Sequence, residues 1–508
     1  MKPLFSTFKV GGWTFASRIL GLLRDISTTN LLGASVFHDV FVVILKIPMV
    51  FRGLFAEGAF SQAFIPVYKS LITKNKHADS KIFVDSLFTI MLISLFFITL
   101  LALIFAPVIV FIFAPGFYFE SETKTLAVDL LRIMFPYLGL ISLVSFAAGI
   151  QNSNNYFSVP AATPLIFNLV LIAISLFFAR HFEIPVIALA WGVLLSGFLQ
   201  LMIQIFPLIK LKIIPKISFN FNNQYIKKFL ILILPALIAG GVSQINLLID
   251  TIFASYLRAG SPTWLYVSDR LMQFPLGIFA VAISVVLLPT LTKSFANNNL
   301  LEFESSLLNG IKLVAFVAIP STLGLIIFGH QILDMLFRRG EFMPYDISMS
   351  FLSLQMLAFG LPFFMLIKVL IPAFFAQQDT KTPLQIAILS LLLNIILNYI
   401  FAFSLGFGHY GLALGSSIAA FISGMLLILK LKHSSIIKFN KGLVLFFVRI
   451  LVASIVMSFF LLIIDDVFNF SSLNSFWNIV ITILCVLFSV IIYLSSSYLL
   501  GIRAKEFY

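Results

Sequence analysis

The 508-residue sequence predicts an all-α polytopic membrane protein of about 14 transmembrane helices: two parallel six-helix lobes related by a pseudo-two-fold axis along the membrane normal, plus two C-terminal helices. Three observations carry this. Hydrophobic residues make up 60% of the chain and charged residues only 10%, with a mean hydropathy of +1.09, whereas a soluble domain carries about a quarter charged residues. Apolar runs of membrane-spanning length follow one another with short polar breaks, which leaves no room for a large soluble domain. Proline and glycine landmarks recur at one offset in the two halves of the chain.

Taken in order, the first span, about 7–32, holds Arg18 and Arg24 and lacks a small-residue cleavage site, which predicts a retained helix instead of a signal peptide. The second, about 37–68, is interrupted by Pro48, Gly53, Gly58 and Pro66. Spans near 83–113, 125–149, 158–179 and 185–208, each bounded by polar, proline or glycine punctuation, complete an N-lobe over 1–220. A C-lobe over 221–434 holds spans near 229–256, 263–291, 308–329, 347–375, 384–404 and 410–430. The eighth span, like the second, carries helix-breaking residues: Pro275, Gly277 and Pro289. Spans near 443–464 and 476–500 fill the remaining segment, 435–508, and lie outside the repeat.

The repeat is legible in five landmark pairs, each offset by roughly 223 to 227 residues: Pro48 with Pro275, Pro66 with Pro289, Pro136 with Pro362, Pro160 with Pro383, and Gly192 with Gly415. Six spans separate the copies, an even number, so the two lobes share one orientation. Alternate connections carry about twenty Lys and Arg residues against about five on the other side, which predicts cytoplasmic termini; the Arg338-Arg339 pair is the one local departure.

These features exclude several functions. In a membrane chain the net charge of +13 encodes orientation and does not call for a nucleic-acid partner. The single cysteine, Cys485, leaves no intramolecular disulfide and no cysteine metal site. No P-loop is present, and the outward connections are too short for a hydrolase or transferase site, so transport is the default reading. An alternative class, a membrane glycosyltransferase or polymerase, has only the Asp465-Asp466 dyad as candidate acids.

A charge at the bilayer centre costs about 2.5 to 3.5 kcal/mol on insertion scales and marks a protein interior or a water-filled cavity. Arg18, Arg24, Lys46, Arg52, Arg132, Arg270, Lys368 and Arg449 fall inside or at the edge of spans. Four of them crowd into the first two spans, with Asp25, Asp39 and Glu57. Arg132, Lys368 and Arg449 are singletons near span ends and read as snorkelling side chains, and Arg24 beside Asp25 also reads as a boundary pair. Arg18 and Arg52 have apolar turns on both sides, and Arg270 is the second lobe's nearest counterpart. Arginine's planar fork grips phosphate bidentately and cannot be neutralised, so convergence of these residues implies an anionic substrate such as a phosphate or diphosphate. A second polar set comprises Ser243, Asn246 and Asp250 on one stripe of the seventh span and Asn394 and Asn398 on one stripe of the eleventh. Two readings stand for it: oxygen ligands for a hard cation, or interhelical hydrogen bonds.

The segment SRILGLLRD, Ser17 to Asp25, and the stretch LKIPMVFRGLFAEGAFSQAFIP, Leu45 to Pro66, resemble the MurJ (MviN) family of lipid II flippases within the multidrug/oligosaccharidyl-lipid/polysaccharide exporter (MOP) superfamily. SDRLMQFPLGIFAVAI, Ser268 to Ile283, resembles that family's eighth span, and QQDTKTP, Gln377 to Pro383, the loop before its eleventh. The likeness runs over the whole chain. It implies that Arg18, Arg24, Arg52 and Arg270 are the essential cavity arginines, accompanied by Asp39 and Glu57, and that Asp250, Asn394 and Asn398 form a candidate sodium site, with no other cofactor. It implies a multi-pass protein of the bacterial cytoplasmic (inner) membrane, monomeric, whose partners are lipid II and the membrane and not nucleic acid. Its last two spans would form a groove for the polyprenyl tail. Gly53 and Met49 depart from the pattern, since relatives often place an arginine and an asparagine there. The expected function is translocation of lipid II, the lipid-linked peptidoglycan precursor, from the cytoplasmic to the periplasmic leaflet by alternating access. Another exporter of the same superfamily is the nearest alternative.

Overall fold

The structure is a computed structural model that describes residues 2–53, 59–221, 223–433, 441–468, 470 and 474–507, with the side chains of 2–10, 59, 236, 238–240 and 242–243 outside the description. Among the described residues there is no strand. The helices in order are α1 (Lys2–Leu32), α2 (Val36–Arg52), α3 (Ala59–Thr73), α4 (His77–Ile104), α5 (Ala106–Phe113), α6 (Pro115–Tyr118), α7 (Ser121–Met134), α8 (Tyr137–Ser153), α9 (Ser158–Ala173), α10 (Pro185–Lys210), α11 (Gln224–Ser255), α12 (Ser261–Pro275), α13 (Val281–Ala296), α14 (Leu300–Phe337), α15 (Pro344–Ala376), α16 (Lys381–Asn398), α17 (His409–His433), α18 (Lys441–Val467) and α19 (Ser475–Leu499).

Eleven of the described helical segments are long and apolar enough to cross a membrane. The three expected spans outside that set are the first, the second and the seventh. The first, α1, carries Arg18, Arg24 and Asp25; the second comprises α2 and α3 on either side of residues 54–58, which lie outside the description; the seventh is α11. Two expected single spans are each built from two helices. The third breaks between α4 and α5, where Pro107 stands in the first turn of the new helix, and the fourth breaks between α7 and α8 at Pro136.

The chain divides into two compact units, Met1–Pro262 and Thr263–Tyr508. In the first, α1 packs along α9, α10 lies against α8 and α9, and α3 packs on α8 and α11. Its core holds an aromatic stack: Phe60, Phe64, Phe83 and Phe146 are buried, with the Phe64 ring 5.2 Å from Phe60, 5.7 Å from Phe83 and 5.6 Å from Phe146. Gly149 permits this, because a Cβ there would come within 2.8 Å of Phe64 Cδ1. The helix α11 opens the second copy of the sequence repeat, yet it lies in the first compact unit because its neighbours there are α2 and α3. The compact division therefore falls at 262/263 and the repeat boundary at about 220/221.

In the second unit α15 packs against α14 and α17, α13 against α14 and α15, and α16 against α17. The final pair, α18 and α19, pack on each other and on α14 through Phe328, Ala453, Met457, Leu461 and Tyr493. Their remaining faces expose Val444, Phe459, Ile463, Leu487 and Phe488, as lipid-facing helices do.

Helix interruptions appear where the proline and glycine pattern puts them. A π-helical segment, Leu276–Ala280, follows Pro275 in the eighth span, and Gly53 in the second span is itself π-helical. Two further π segments, Ile174–Phe178 after α9 and Tyr399–Ser404 after α16, are separated by the same spacing as the proline landmarks. The duplication is thus carried by backbone geometry as well as by sequence.

Candidate functional site

Arg24 sits on α1 against α9. Its guanidinium donates to Asp25 Oδ1 through Nη2 (2.5 Å) and Nε (2.9 Å), donates through Nη1 to Asn168 Oδ1 (3.1 Å), and lies 5.4 Å from the centre of the Phe167 ring. Asp25 is buried. A buried ion pair is tolerated only when further hydrogen bonds meet its remaining atoms, and Asn168 contributes one of them. The same Asn168 donates its amide to the Ser17 carbonyl (3.0 Å), so one side chain of the fifth span seats α1 from Ser17 to Arg24. Arg18, half-buried on that stretch, has no hydrogen-bond partner among the described residues.

Arg52 closes α2. Its Nη1 donates to the hydroxyl of the buried Tyr137 on α8 (3.5 Å), and the Tyr137 ring lies 5.7 Å from Phe167. Phe167 therefore touches both the Arg24 guanidinium and the ring that holds Arg52, which brings the supports of these two arginines together in the first unit. Beside Arg52, a Cβ on Gly53 would come within 2.7 Å of Gln244 Nε2, so the glycine admits an amide from α11. Sequence reasoning missed Asn168, Phe167 and Tyr137. The available signal was a lone amide in the apolar run TPLIFNLV and a tyrosine directly after Pro136.

Asp39 stands apart from Arg52. It lies in the first turn of α2, about 20 Å along the helix from Arg52, and its Oδ2 accepts from the Gly260 amide at 2.5 Å. Gly260 has φ +92°, a conformation that side chains disfavour, so Asp39 pins a tight turn leading into α12. Glu57 lies outside the described residues. Arg270 belongs to the second unit, where its Nη2 donates to the Tyr266 hydroxyl (3.0 Å) and its guanidinium lies 4.8 Å from the centre of that ring.

Of the second polar set, Asn394 accepts from the Ser416 hydroxyl on α17 (3.3 Å), and the amide oxygen of Asn398 lies 2.5 Å from where a Gly415 Cβ would stand. Both asparagines are buried and engaged in packing α16 against α17. Asp250 and Asn246 are half-buried on α11 in the other compact unit, and the side chain of Ser243 lies outside the description. The donor chemistry suits a hard cation, and two of the three donors also serve helix packing. Among the described residues no group of three or more His, Cys, Asp or Glu could hold a metal. Asp465, one of the two acids open to a transferase reading, accepts from Gln331 Nε2 on α14. Of the snorkelling candidates, Arg132 reaches Asp129 (3.9 Å), Arg449 reaches Glu506 (3.4 Å), and Lys368 is exposed.

In the loop before α16, Asp379 Oδ1 accepts from the Lys381 and Thr382 amides, both at 3.0 Å. Hydrogen bonds from Thr382 above all hold this carboxyl below its usual range.

Comparison with known proteins fits this architecture. The family model described as "Lipid II flippase MurJ" matches residues 28–482. A probable lipid II flippase MurJ of Buchnera aphidicola subsp. Schizaphis graminum is 38% identical over 508 residues, covering 100% of this chain and 98% of its own. The lipid II flippase MurJ of Burkholderia cenocepacia is 35% identical, covering 88% of this chain and 87% of its own. A solved structure of lipid II flippase MurJ in an inward closed conformation aligns with a TM-score of 0.82 at 30% identity, covering 96% of this chain and 98% of that one. A match of the family model over most of the chain, together with relatives alike from end to end, establishes that this chain belongs to the MurJ family.

Proposed function

We propose that the protein is a lipid II flippase: a transporter, not an enzyme, that moves the peptidoglycan precursor from the cytoplasmic to the periplasmic leaflet of the inner membrane for cell wall synthesis. The observation that carries this is the pair Arg24 and Arg52, held in one membrane-embedded unit by the joined supports Asn168, Phe167 and Tyr137. Guanidinium groups fixed in an apolar setting offer bidentate hydrogen bonds to a diphosphate, and the low dielectric strengthens the attraction. In this reading Arg18 adds a third charge to the anion site of the first unit, Arg270 serves the same transport from the second unit, Asp39 acts through the turn it pins, and the polyprenyl tail stays in lipid along α18 and α19. Both termini face the cytoplasm, as the lysine asymmetry favours. Alternating access needs helices that bend, and the π segment after Pro275 is a point of weakened helical bonding suited to that.

The test is depletion of the protein in cells followed by measurement of lipid II accessible at the outer leaflet. Accessible lipid II should fall while total lipid II accumulates. Undiminished exposure would overturn the reading and favour another exporter function of the same superfamily.

A further inference from the structure

Arg52 ends a polar chain that crosses three further helices of the first unit. Beyond the 3.5 Å contact with Tyr137, the Tyr137 hydroxyl donates to Gln200 Oε1 on α10 (3.4 Å), and Gln200 Nε2 donates to the Thr163 carbonyl on α9 (3.1 Å). Gln204 Nε2 donates to the Thr163 hydroxyl (2.7 Å), and the Gln204 amide oxygen accepts from Gln151 Nε2. Tyr137, Gln151, Gln200 and Gln204 are all buried to 2% exposure or less. Neutral hydrogen bonds of this kind hold helices together wherever they occur. Here, however, the chain terminates on a charged group, and its tyrosine is fixed on three sides. Gln200 takes the hydroxyl proton, Phe167 packs on the ring, and Gly197 leaves the space the ring fills, since a Cβ there would come within 2.7 Å of Tyr137 Cδ2.

We infer that Tyr137, oriented by Gln200, is a positioning residue that aims the Arg52 guanidinium at the diphosphate of the lipid-linked substrate; the inference rests on the anion-site reading above. A hydroxyl suits the task because it accepts a guanidinium hydrogen without adding a negative charge of its own beside the arginine. A carboxylate in the same place would compete with the substrate.

The test uses the full-length protein in nanodiscs, with undecaprenyl diphosphate as the probe and undecaprenol as the control that shares the tail but lacks the anion. Tyr137→Phe removes only the hydroxyl, and Gln200→Met removes its orienting partner at similar volume. Each should weaken diphosphate binding about tenfold, the size of a lost hydrogen bond to a charged group, with undecaprenol binding unchanged as the sign that the fold is kept. In an Arg52→Ala background Tyr137→Phe should have no further effect. Wild-type diphosphate affinity in both Tyr137→Phe and Gln200→Met, while Arg52→Ala loses binding, would overturn the positioning role and leave the anion site standing. Losses that add independently in the double variant would overturn it too. Wild-type diphosphate binding by Arg52→Ala would instead overturn the anion site and this inference with it.

Discussion

Arg24 and Arg52 differ in how their charge is held. Arg24 pairs with the buried carboxylate of Asp25, whereas the Arg52 guanidinium donates to a phenol. Lysine keeps the charge at either site but loses the fork, so we expect Arg→Lys at residues 18, 24, 52 and 270 to impair growth on depletion of the native protein, and Arg→Ala to abolish it. Growth supported by two or more of the alanine variants would sink the anion site. Asp379 gives a pH-dependent expectation. Its carboxyl is depressed in the folded protein, so the stabilisation of the first turn of α16 is fully present above the unfolded carboxylate value of about 3.9 and is lost as pH falls through the lower folded value. Asp379→Ala should accelerate amide exchange at Lys381 and Thr382 at pH 5 to 8, and the difference from wild type should vanish on acidification through the folded carboxyl's range. The motif QQDTKTP carried only the family resemblance, and Asp379, Asn168 and Tyr137 were not singled out, because a lone polar side chain becomes meaningful only when its partner is known.

Among the elements, α18 and α19 are held to α14 by an apolar seam around Phe328 and by a polar tie in which Asn478 Nδ2 donates to the buried Asp334 (2.8 Å), whose other oxygen faces Arg338 (3.5 Å). Asn478→Leu leaves that carboxylate short of a donor and should destabilise the docking by about 1 to 3 kcal/mol, measured as a lowered thermal midpoint in detergent. Removing residues 440–508 should abolish lipid II transport with the preceding helices still inserted; full complementation by such a truncation would reduce α18 and α19 to an assembly element. Substitution at Gly149 tests the aromatic stack. Gly149→Val should cost about 1 to 3 kcal/mol by driving into Phe64, with no change in substrate preference.

For the whole molecule, the proposed outward movement of an anionic substrate would couple transport to the membrane potential. Inside-negative potential favours outward movement of negative charge by about 2.3 kcal/mol per elementary charge per 100 mV, to the extent that returning arginines do not cancel it. We expect collapse of the potential with a potassium ionophore at fixed pH to reduce lipid II exposure at the outer leaflet. Unchanged exposure would sink the electrical drive. Sodium withdrawal at constant potential is the separate measurement for the Asp250, Asn394 and Asn398 set. Wild-type exposure in Asp250→Ala, with and without sodium, would remove that set from the cycle.

The sequence alone determined the membrane class, the all-helical architecture, the duplication and the arginine candidates. Each of these is written in properties that act locally: apolar length set by the bilayer, proline and glycine breaking the helix where they stand, and charge too costly to leave in lipid without a purpose. Only tertiary structure decided that α11 packs in the first compact unit, that Asp39 pins a turn instead of joining Arg52, and that Asn394 and Asn398 face α17. It also decided which neutral side chains carry the arginines. Such pairings join residues tens to hundreds of positions apart, and a buried polar group accepts whichever partner the packing of helices presents, a choice that no periodicity along the chain encodes.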